Sequence, residues 1–472
     1  MFEHENDTIA AVCTGTGGAV SIVRISGPRA LDTVRCVWRG KRMPGPDCPR
    51  VMLYGHIVSE TGETGEPALA VFMPAPRSFT GEDVAEIHCH GGGFAARRAL
   101  RLVLGAGARL AQNGEFTRRA FLNGKLDLTQ AEGVLDLINA GSERAGLLAE
   151  RQLNGAVGSL VRDIRGEIVR LLSECESRLD FSEEDLDWMP PETFCENVNT
   201  LREHADGLAL TARAGAMIRD GISLVIAGPP NAGKSSLLNR MLGYDRAIVT
   251  PIPGTTRDTL EESVSIGGIR FRVTDTAGLR EAGQADPVEA MGMERSQQSL
   301  GTADIVLWLL DASAPVESFP AQFETMNRAR SGIRGKFIPC WNKMDGASAG
   351  PDVLDSIGTA NDDTASVAFE HISARTGDGI DRLFRRLEET AWEGLPPAAQ
   401  SAGAAAVSER HAALLKQAAD CLSSASECAA RGSWELAGSS LRTAAELIGC
   451  ITGETATPDI LDEIFSRFCI GK

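Results

Sequence analysis

The chain has 472 residues, 43% hydrophobic and 24% charged, which is an ordinary globular composition with room for about three domains of ~150 residues. No apolar run approaches the ~18–20 residues of a membrane span, and the opening MFEHENDTIAAV lacks the basic-then-apolar pattern of a leader, so the expected location is the cytoplasm. A net charge of −17 excludes a general nucleic-acid coat and makes any RNA contact local or shared with a partner, while eleven scattered cysteines without a C-x-x-C pair favour reduced thiols over a disulfide framework.

From the start to about residue 123, short apolar runs (Ala19–Ile25, Ala68–Phe72, Val84–Ile87) alternate with Gly- and Pro-rich turns, and a helical stretch lies near 95–104. This is an α+β pattern. His88 and His90 share one side of an extended segment but have no further spaced ligands, so a structural role is favoured over a metal site. From about 128 the period changes. Leu153, Val157, Leu160, Ile164, Ile168, Leu171, Cys175 and Leu179 recur at three- and four-residue steps and predict one long amphipathic helix, broken by Trp188-Met189-Pro190-Pro191. A further helical stretch runs on to about 216.

Residues 217–387 carry a nucleotide-binding signature. Gly228-Pro229-Pro230-Asn231-Ala232-Gly233-Lys234-Ser235 matches G-x-x-x-x-G-K-[ST] after the apolar run Ile222–Ile226 and before Ser236-Leu237-Leu238, so a strand, phosphate loop and helix are expected in series. Backbone N–H groups there suit phosphates, Lys234 the outer phosphates, and Ser235 a Mg²⁺ ion. Gly254-Thr255-Thr256 supplies a switch threonine. Asp275-Thr276-Ala277-Gly278 follows another apolar run, and there Asp275 can support the Mg²⁺ shell and Gly278 the γ-phosphate.

Asn342-Lys343-Met344-Asp345 selects guanine. Asp345 can accept both the ring N–H and the exocyclic amine of guanine, whereas adenine would leave a buried carboxylate unpaired. Ser373-Ala374-Arg375 then reads as the loop closing over the base. Five motifs in order identify a GTPase of the translation-factor type. Many such enzymes orient the attacking water with a glutamine after this second switch, but the chain has Leu279, which cannot bond to water, so Glu289 is the candidate for that task.

After the linker-like Pro396–Gly403, helical periodicity returns through Leu414, Leu415, Ala418, Leu422, Leu436, Leu441 and Ile448. Two amphipathic segments flanking a whole domain need a common core. The expected organisation is therefore an α+β domain over 1–123, a helical domain over 124–216 and 388–472, and a GTPase domain inserted at 217–387.

Several stretches outside the nucleotide motifs are specific: Ile22–Gly27, Ser78–Val84, His90–Gly92, Gly114–Leu128 (GEFTRRAFLNGKLDL) and the terminal Cys469-Ile470-Gly471-Lys472. With them the chain resembles, end to end, the MnmE (TrmE) family of tRNA modification GTPases. That resemblance implies a homodimer whose N-terminal domains bind a tetrahydrofolate derivative (5-formyl or 5,10-methylene). It also implies an FAD-containing partner, MnmG (GidA), in a heterotetramer or larger complex, and addition of a carboxymethylaminomethyl or aminomethyl group to C5 of the wobble uridine of certain tRNAs.

By motif the resemblance assigns folate contacts to Arg24, Glu86, Lys125 and Lys472, and Mg²⁺ to Ser235 and Thr256. It assigns a potassium ion, in place of an arginine finger, to Asn231, Thr250, Ile252 and Thr255. GTP contacts would run over Asn231–Ser236, Thr250, Pro251, Ile252, Pro253, Gly254, Thr255 and Thr256, Asp275–Gly278, Asn342, Lys343, Asp345 and Ser373–Arg375, and Glu289 would orient water through a neighbouring water. The loop Gly15-Thr16-Gly17-Gly18 departs from the family's G-R-G-G, and the second switch is about two residues longer. A related ribosome-assembly GTPase would carry a basic RNA-binding domain where this chain is acidic, and a P-loop ATPase conflicts with NKMD.

Overall fold

The computed structural model describes residues 7–15, 18–58, 64–181, 187–244, 262–275, 299–361, 368–393, 395 and 406–472. Thr250 to Thr256, Thr276 to Gly278, Glu289 and the side chain of Asp275 lie outside the described residues. The chain divides into two compact units. One comprises Met1–Leu135, Arg151–Gly207 and Ala413–Lys472, and the other comprises Asp136–Glu150 and Leu208–Ala412.

The first unit is built on a seven-stranded sheet: β1 (Ile9–Val12), β2 (Val20–Ser26), β3 (Trp38–Gly40), β4 (Leu53–Val58), β5 (Thr64–Met73), β6 (Val84–His90) and β7 (Arg109–Leu110). Its order is β3-β4-β5-β6-β2-β1-β7, antiparallel except for β1 with β7. Period-two alternation gives the sheet two characters. Val23, Ile25, Ala85 and Ile87 face helices α1 (Ala30–Val37) and α2 (Gly93–Gly105) and form a core with Val34, Ala99 and Val103. Arg24, Glu86 and His88 alternate with those residues and take the other face. There Ile9 and Ala11 pack on Phe116 of helix α3 (Glu115–Leu122).

Helices of the same unit pair off beside the sheet. Ala156–Asp180 packs along Trp434–Thr452, burying Val157, Ile164, Ile168, Leu171 and Cys175 on one side and Leu441 and Ile448 on the other. The expected single helix through Leu153 is corrected. Gly155, at φ 86°, takes a left-handed turn and separates Glu143–Leu153 from Ala156–Asp180. Leu160, Leu179 and Leu436, also expected in the core, are exposed. The chain then re-enters a helix at Pro191, where a missing N–H costs nothing in the first turn.

The second unit holds a six-stranded sheet of order β13-β12-β11-β8-β10-β9. Its strands are β8 (Ile222–Ala227), β9 (Glu262–Ile266), β10 (Ile269–Asp275), β11 (Ile305–Asp311), β12 (Lys336–Asn342) and β13 (Glu370–His371). All neighbours are parallel except the β9–β10 hairpin. Near-continuous apolar strands are what a parallel sheet covered on both faces demands, and two separate cores lie on its two sides. This is the P-loop GTPase architecture, α/β and doubly wound.

A buried ion network ties the α+β region together. Arg119 bonds to Asp7, to Glu115 (3.0 Å) and to Glu82 (3.2 Å), while Arg109 reaches Asp7 and Glu115, each at 2.7 Å. Burial alone would raise the Glu115 carboxyl, but hydrogen bonds from Arg109, the Gln112 amide and Arg119 outweigh it and hold the group below the ordinary carboxylate value. Asp7 is lowered in the same way, against burial, by Arg109 and Arg119. Both folded values lie below the unfolded ones, so this stability is present above the ordinary carboxylate range and is lost as pH falls through it. Arg119→Met should destabilise the protein at neutral pH by about 3–5 kcal/mol. In urea unfolding, the gap from wild type should shrink as pH falls below about 4; a gap that does not change with pH would contradict this reading.

Candidate functional site

The phosphate loop begins where β8 ends. Its cradle depends on backbone that side chains resist: Asn231 sits at φ 64° and Gly233 at φ 93°. A Cβ on Gly233 would come 2.3 Å from the Asn342 Nδ2, so only glycine fits against that amide. Helix Lys234–Tyr244 then starts with its positive dipole end at the loop. The Lys234 ammonium is buried and donates to the carbonyls of Gly228 (3.1 Å) and Pro229 (2.9 Å) across the loop, while Asn231, Ser235 and Ser236 are exposed on its open side.

Asn342, at the end of β12, is 1% exposed and uses both ends of its amide. Its Nδ2 donates to the Ala232 carbonyl at 2.7 Å, and its Oδ1 accepts the Ala374 N–H at 3.0 Å. One side chain therefore joins the phosphate loop to the Ser373–Arg375 loop. Arg240, from the helix after the phosphate loop, donates to the Ala374 carbonyl at 3.0 Å and to that of Arg375, closing the same ring. Three of the sequence-predicted segments thus meet at the Asn342 amide.

Lys343 adopts φ 63°, and its ammonium pairs with Asp311 at 2.6 Å. Burial pushes the Asp311 carboxyl up, but Lys343 and Ser313 pull it further down, so it stays anionic and fixes the lysine. Asp345 receives the Ser373 hydroxyl at 2.7 Å and the Arg375 Nε at 3.2 Å, and the Ser373 bond, then burial working against Arg375, leaves it below the usual value. The sequence predicts an enclosed carboxylate here. Asp345 as a whole residue is exposed, yet its side chain is only 18% exposed beside Ser373 and Arg375, so a base that covers it would complete the enclosure.

Register completes the arrangement. β10 runs parallel to β8 with Asp275 beside Ile226, so the second-switch motif starts next to the phosphate loop. The motif-bearing ends of β8, β10, β12 and β13 are their carboxyl ends, where open α/β sheets bind ligands. Sequence reading missed Asp311 and Arg240. A carboxylate ending the apolar run Ile305–Leu310 was the available signal for Asp311, whereas nothing local distinguishes Arg240.

In the first unit, Arg24 pairs with Glu86 at 2.8 Å directly across β2 and β6. Glu86 also meets His88 Nε2 at 3.0 Å. Burial would raise its carboxyl, but His88 and Arg24 together hold it low. The Arg24 guanidinium lies over the rings of Phe79 (5.2 Å) and Phe116 (5.8 Å). Lys472 is brought in by the tail: the Phe116 N–H donates to the Lys472 carbonyl at 3.1 Å, and Asn113 bridges Ile470. The charges of Arg24, Glu86 and Lys472 all act on the thiol of Cys13, which burial raises above its ordinary value. Lys125 instead donates to the Pro76 carbonyl at 3.2 Å, and no described contact joins it to that group. His90 bonds to Glu66, so the two histidines serve separate carboxylates. Cys13, Phe79 and Phe116 were not singled out from sequence, although SFTGEDV and GEFTRR contain both aromatics.

Two family models match the chain: the MnmE helical domain over residues 128–469, and the GTP-binding protein TrmE N-terminus over residues 8–125. The tRNA modification GTPase MnmE of Chloroflexus aurantiacus is 41% identical over 468 residues, covering 99% of this chain and all of that protein. Those of Geobacter sulfurreducens (41% over 471 residues) and Symbiobacterium thermophilum (40% over 470) each cover 99% of both chains. Among solved structures, Aquifex aeolicus Era bound to GDP and aluminium fluoride aligns at 28% identity with a TM-score of 0.30, over 38% of this chain and 60% of that one. Full-length identity near two-fifths, joined to both family models, shows that the chain belongs to the MnmE family of tRNA modification GTPases.

Proposed function

We propose that this protein is a K⁺-activated GTPase that, with an FAD-containing partner (MnmG), modifies C5 of the wobble uridine of certain tRNAs in the cytoplasm. The one-carbon unit comes from a tetrahydrofolate derivative, and the product carries an aminomethyl or carboxymethylaminomethyl group. The observation that carries the GTPase half is the Asn342 amide, which ties the phosphate loop to the base loop.

The residues present fit the nucleotide. The cradle of Asn231, Gly233 and Lys234 offers inward N–H groups and an ammonium, and Asp345 offers a carboxylate for the guanine edge. Ser235 is exposed at the helix start, and with Thr256 it would hold Mg²⁺, which would supply positive charge to the phosphates. Asn231, the loop's first polar side chain, is exposed as well. With Thr250, Ile252 and Thr255 it would hold K⁺, which supplies the positive charge that other GTPases draw from an arginine finger. Leu279 cannot orient water, and Glu289 takes that role.

The Arg24–Glu86 cluster fits folate chemistry. A carboxylate held ionised suits the donor edge of a pterin, the Phe79 and Phe116 rings offer stacking surface, and Arg24, Lys125 and Lys472 suit a glutamate tail. Dimerisation of the first unit would pair two such sites, and pairing of GTPase domains would complete the potassium shell.

Two outcomes test this reading. GTP hydrolysis should be at least about tenfold faster in K⁺ than in Na⁺ at equal ionic strength; equal rates would remove the potassium site. Mass spectrometry of tRNA nucleosides should show the wobble modification lost in cells lacking this protein and restored by the wild-type gene; an unchanged nucleoside profile would refute the tRNA reading.

A further inference from the structure

In a chain of net charge −17, the segments that carry helices α1 and α2 across one face of the first sheet are basic. Residues 29–50 and 93–105 hold nine Lys and Arg against two Asp, and eight of the nine are arginine. The fold makes this one surface. Helices α1 and α2 lie side by side on the sheet. The Arg29 guanidinium sits within about a van der Waals contact of Gly107, just past the end of α2. Arg35 donates to the Pro44 carbonyl at 2.8 Å and so holds the 41–47 loop against α1. Arg29, Arg39, Lys41, Arg42, Arg97 and Arg101 are exposed there, and one of the two aspartates, Asp47, is already paired with Arg42.

An aromatic ring completes the pattern. Phe94 is 74% exposed at the start of α2, and Arg97, Arg98 and Arg101 follow at three-, four- and seven-residue steps along the same side of the helix. The Arg97 guanidinium folds back beside Gly93. Elsewhere in the protein the exposed Arg328, Arg431 and Arg467 each pair with a glutamate one turn away. The α2 arginines have no acidic residue within their helix.

We infer that this α1–α2 face binds the sugar–phosphate backbone of tRNA, with Phe94 stacking on an unpaired base. Guanidinium forks match phosphate oxygens bidentately, and an aromatic among arginines is how proteins hold single-stranded RNA segments such as loops. The assignment rests on the tRNA reading above, yet it concerns the sheet face opposite Arg24 and Glu86, so its substitutions leave that cluster and the GTPase site untouched. Local concentration of positive charge also answers how so acidic a chain tolerates RNA.

The test is fluorescence-anisotropy titration of the full-length protein with labelled tRNA across a salt series. K41A/R97A/R101A should weaken binding about tenfold or more near 0.1 M salt and lower the slope of log Kd against log salt by about two to three. F94A should weaken binding several-fold with an unchanged slope, because stacking releases no counterions. A control, R328A/R431A/R467A, should change neither, and circular dichroism melting should match wild type throughout. Equal losses in both triple variants, an unchanged slope, absence of tRNA binding by the wild type, or binding only to phosphatidylglycerol vesicles would each overturn the inference. Loss of tRNA binding with a wobble nucleoside profile indifferent to the gene would instead keep this surface and overturn the proposed reaction.

Discussion

The nucleotide site depends on one buried side-chain amide. Asn342 is enclosed by the loops it joins, and its donor and acceptor are both consumed by backbone groups of different segments, Ala232 and Ala374. Such a group has no water to fall back on, so losing either partner costs on the order of 1–3 kcal/mol for each orphaned group. The glycine at 233 is part of the same constraint, since a side chain there would collide with the amide. Lys343 and Asp345 follow Asn342 directly, and their positions, against Asp311 and Ser373, are consequences of where that amide is pinned.

The first unit works by separating two chemistries with one sheet. Strand alternation sends Val23, Ile25, Ala85 and Ile87 to the helices and Arg24, Glu86 and His88 to the other side. The Arg119 network anchors α3, whose opening N–H groups hold the tail, with the Phe116 amide on the Lys472 carbonyl and the Gly114 amide on that of Cys469. The terminal residues are thereby placed beside the end of β1, with Gly471 against Val12 and Cys13, although more than four hundred residues separate them in sequence. Ion pairs this enclosed contribute definition of geometry more surely than net stability.

Much of this was legible without coordinates, for a physical reason: the phosphate loop, NKMD and SAR motifs are short-range solutions to local problems, so spacing alone places them at strand ends. The helix pair was readable from periodicity because Val157, Ile164, Ile168 and Leu171 must share a face. What escaped were effects of long-range packing or backbone exceptions. Gly155 breaks a periodic run that looks continuous, and Leu160 and Leu179 keep the period yet meet solvent. Asp311, Arg240 and Cys13 acquire their roles from partners distant in sequence, and the closing helix Pro458–Ser466 is too short for its pattern to stand out.

The most direct test of this account is the guanine-nucleotide affinity of Asn342→Ala, measured by fluorescent GDP titration alongside the far-ultraviolet circular dichroism spectrum. The account predicts a native-like spectrum with affinity reduced by about 10- to 100-fold, since two loops lose their common tether. Affinity within about twofold of wild type would contradict it, because small differences of that size fall below the cost of even one unmade buried bond.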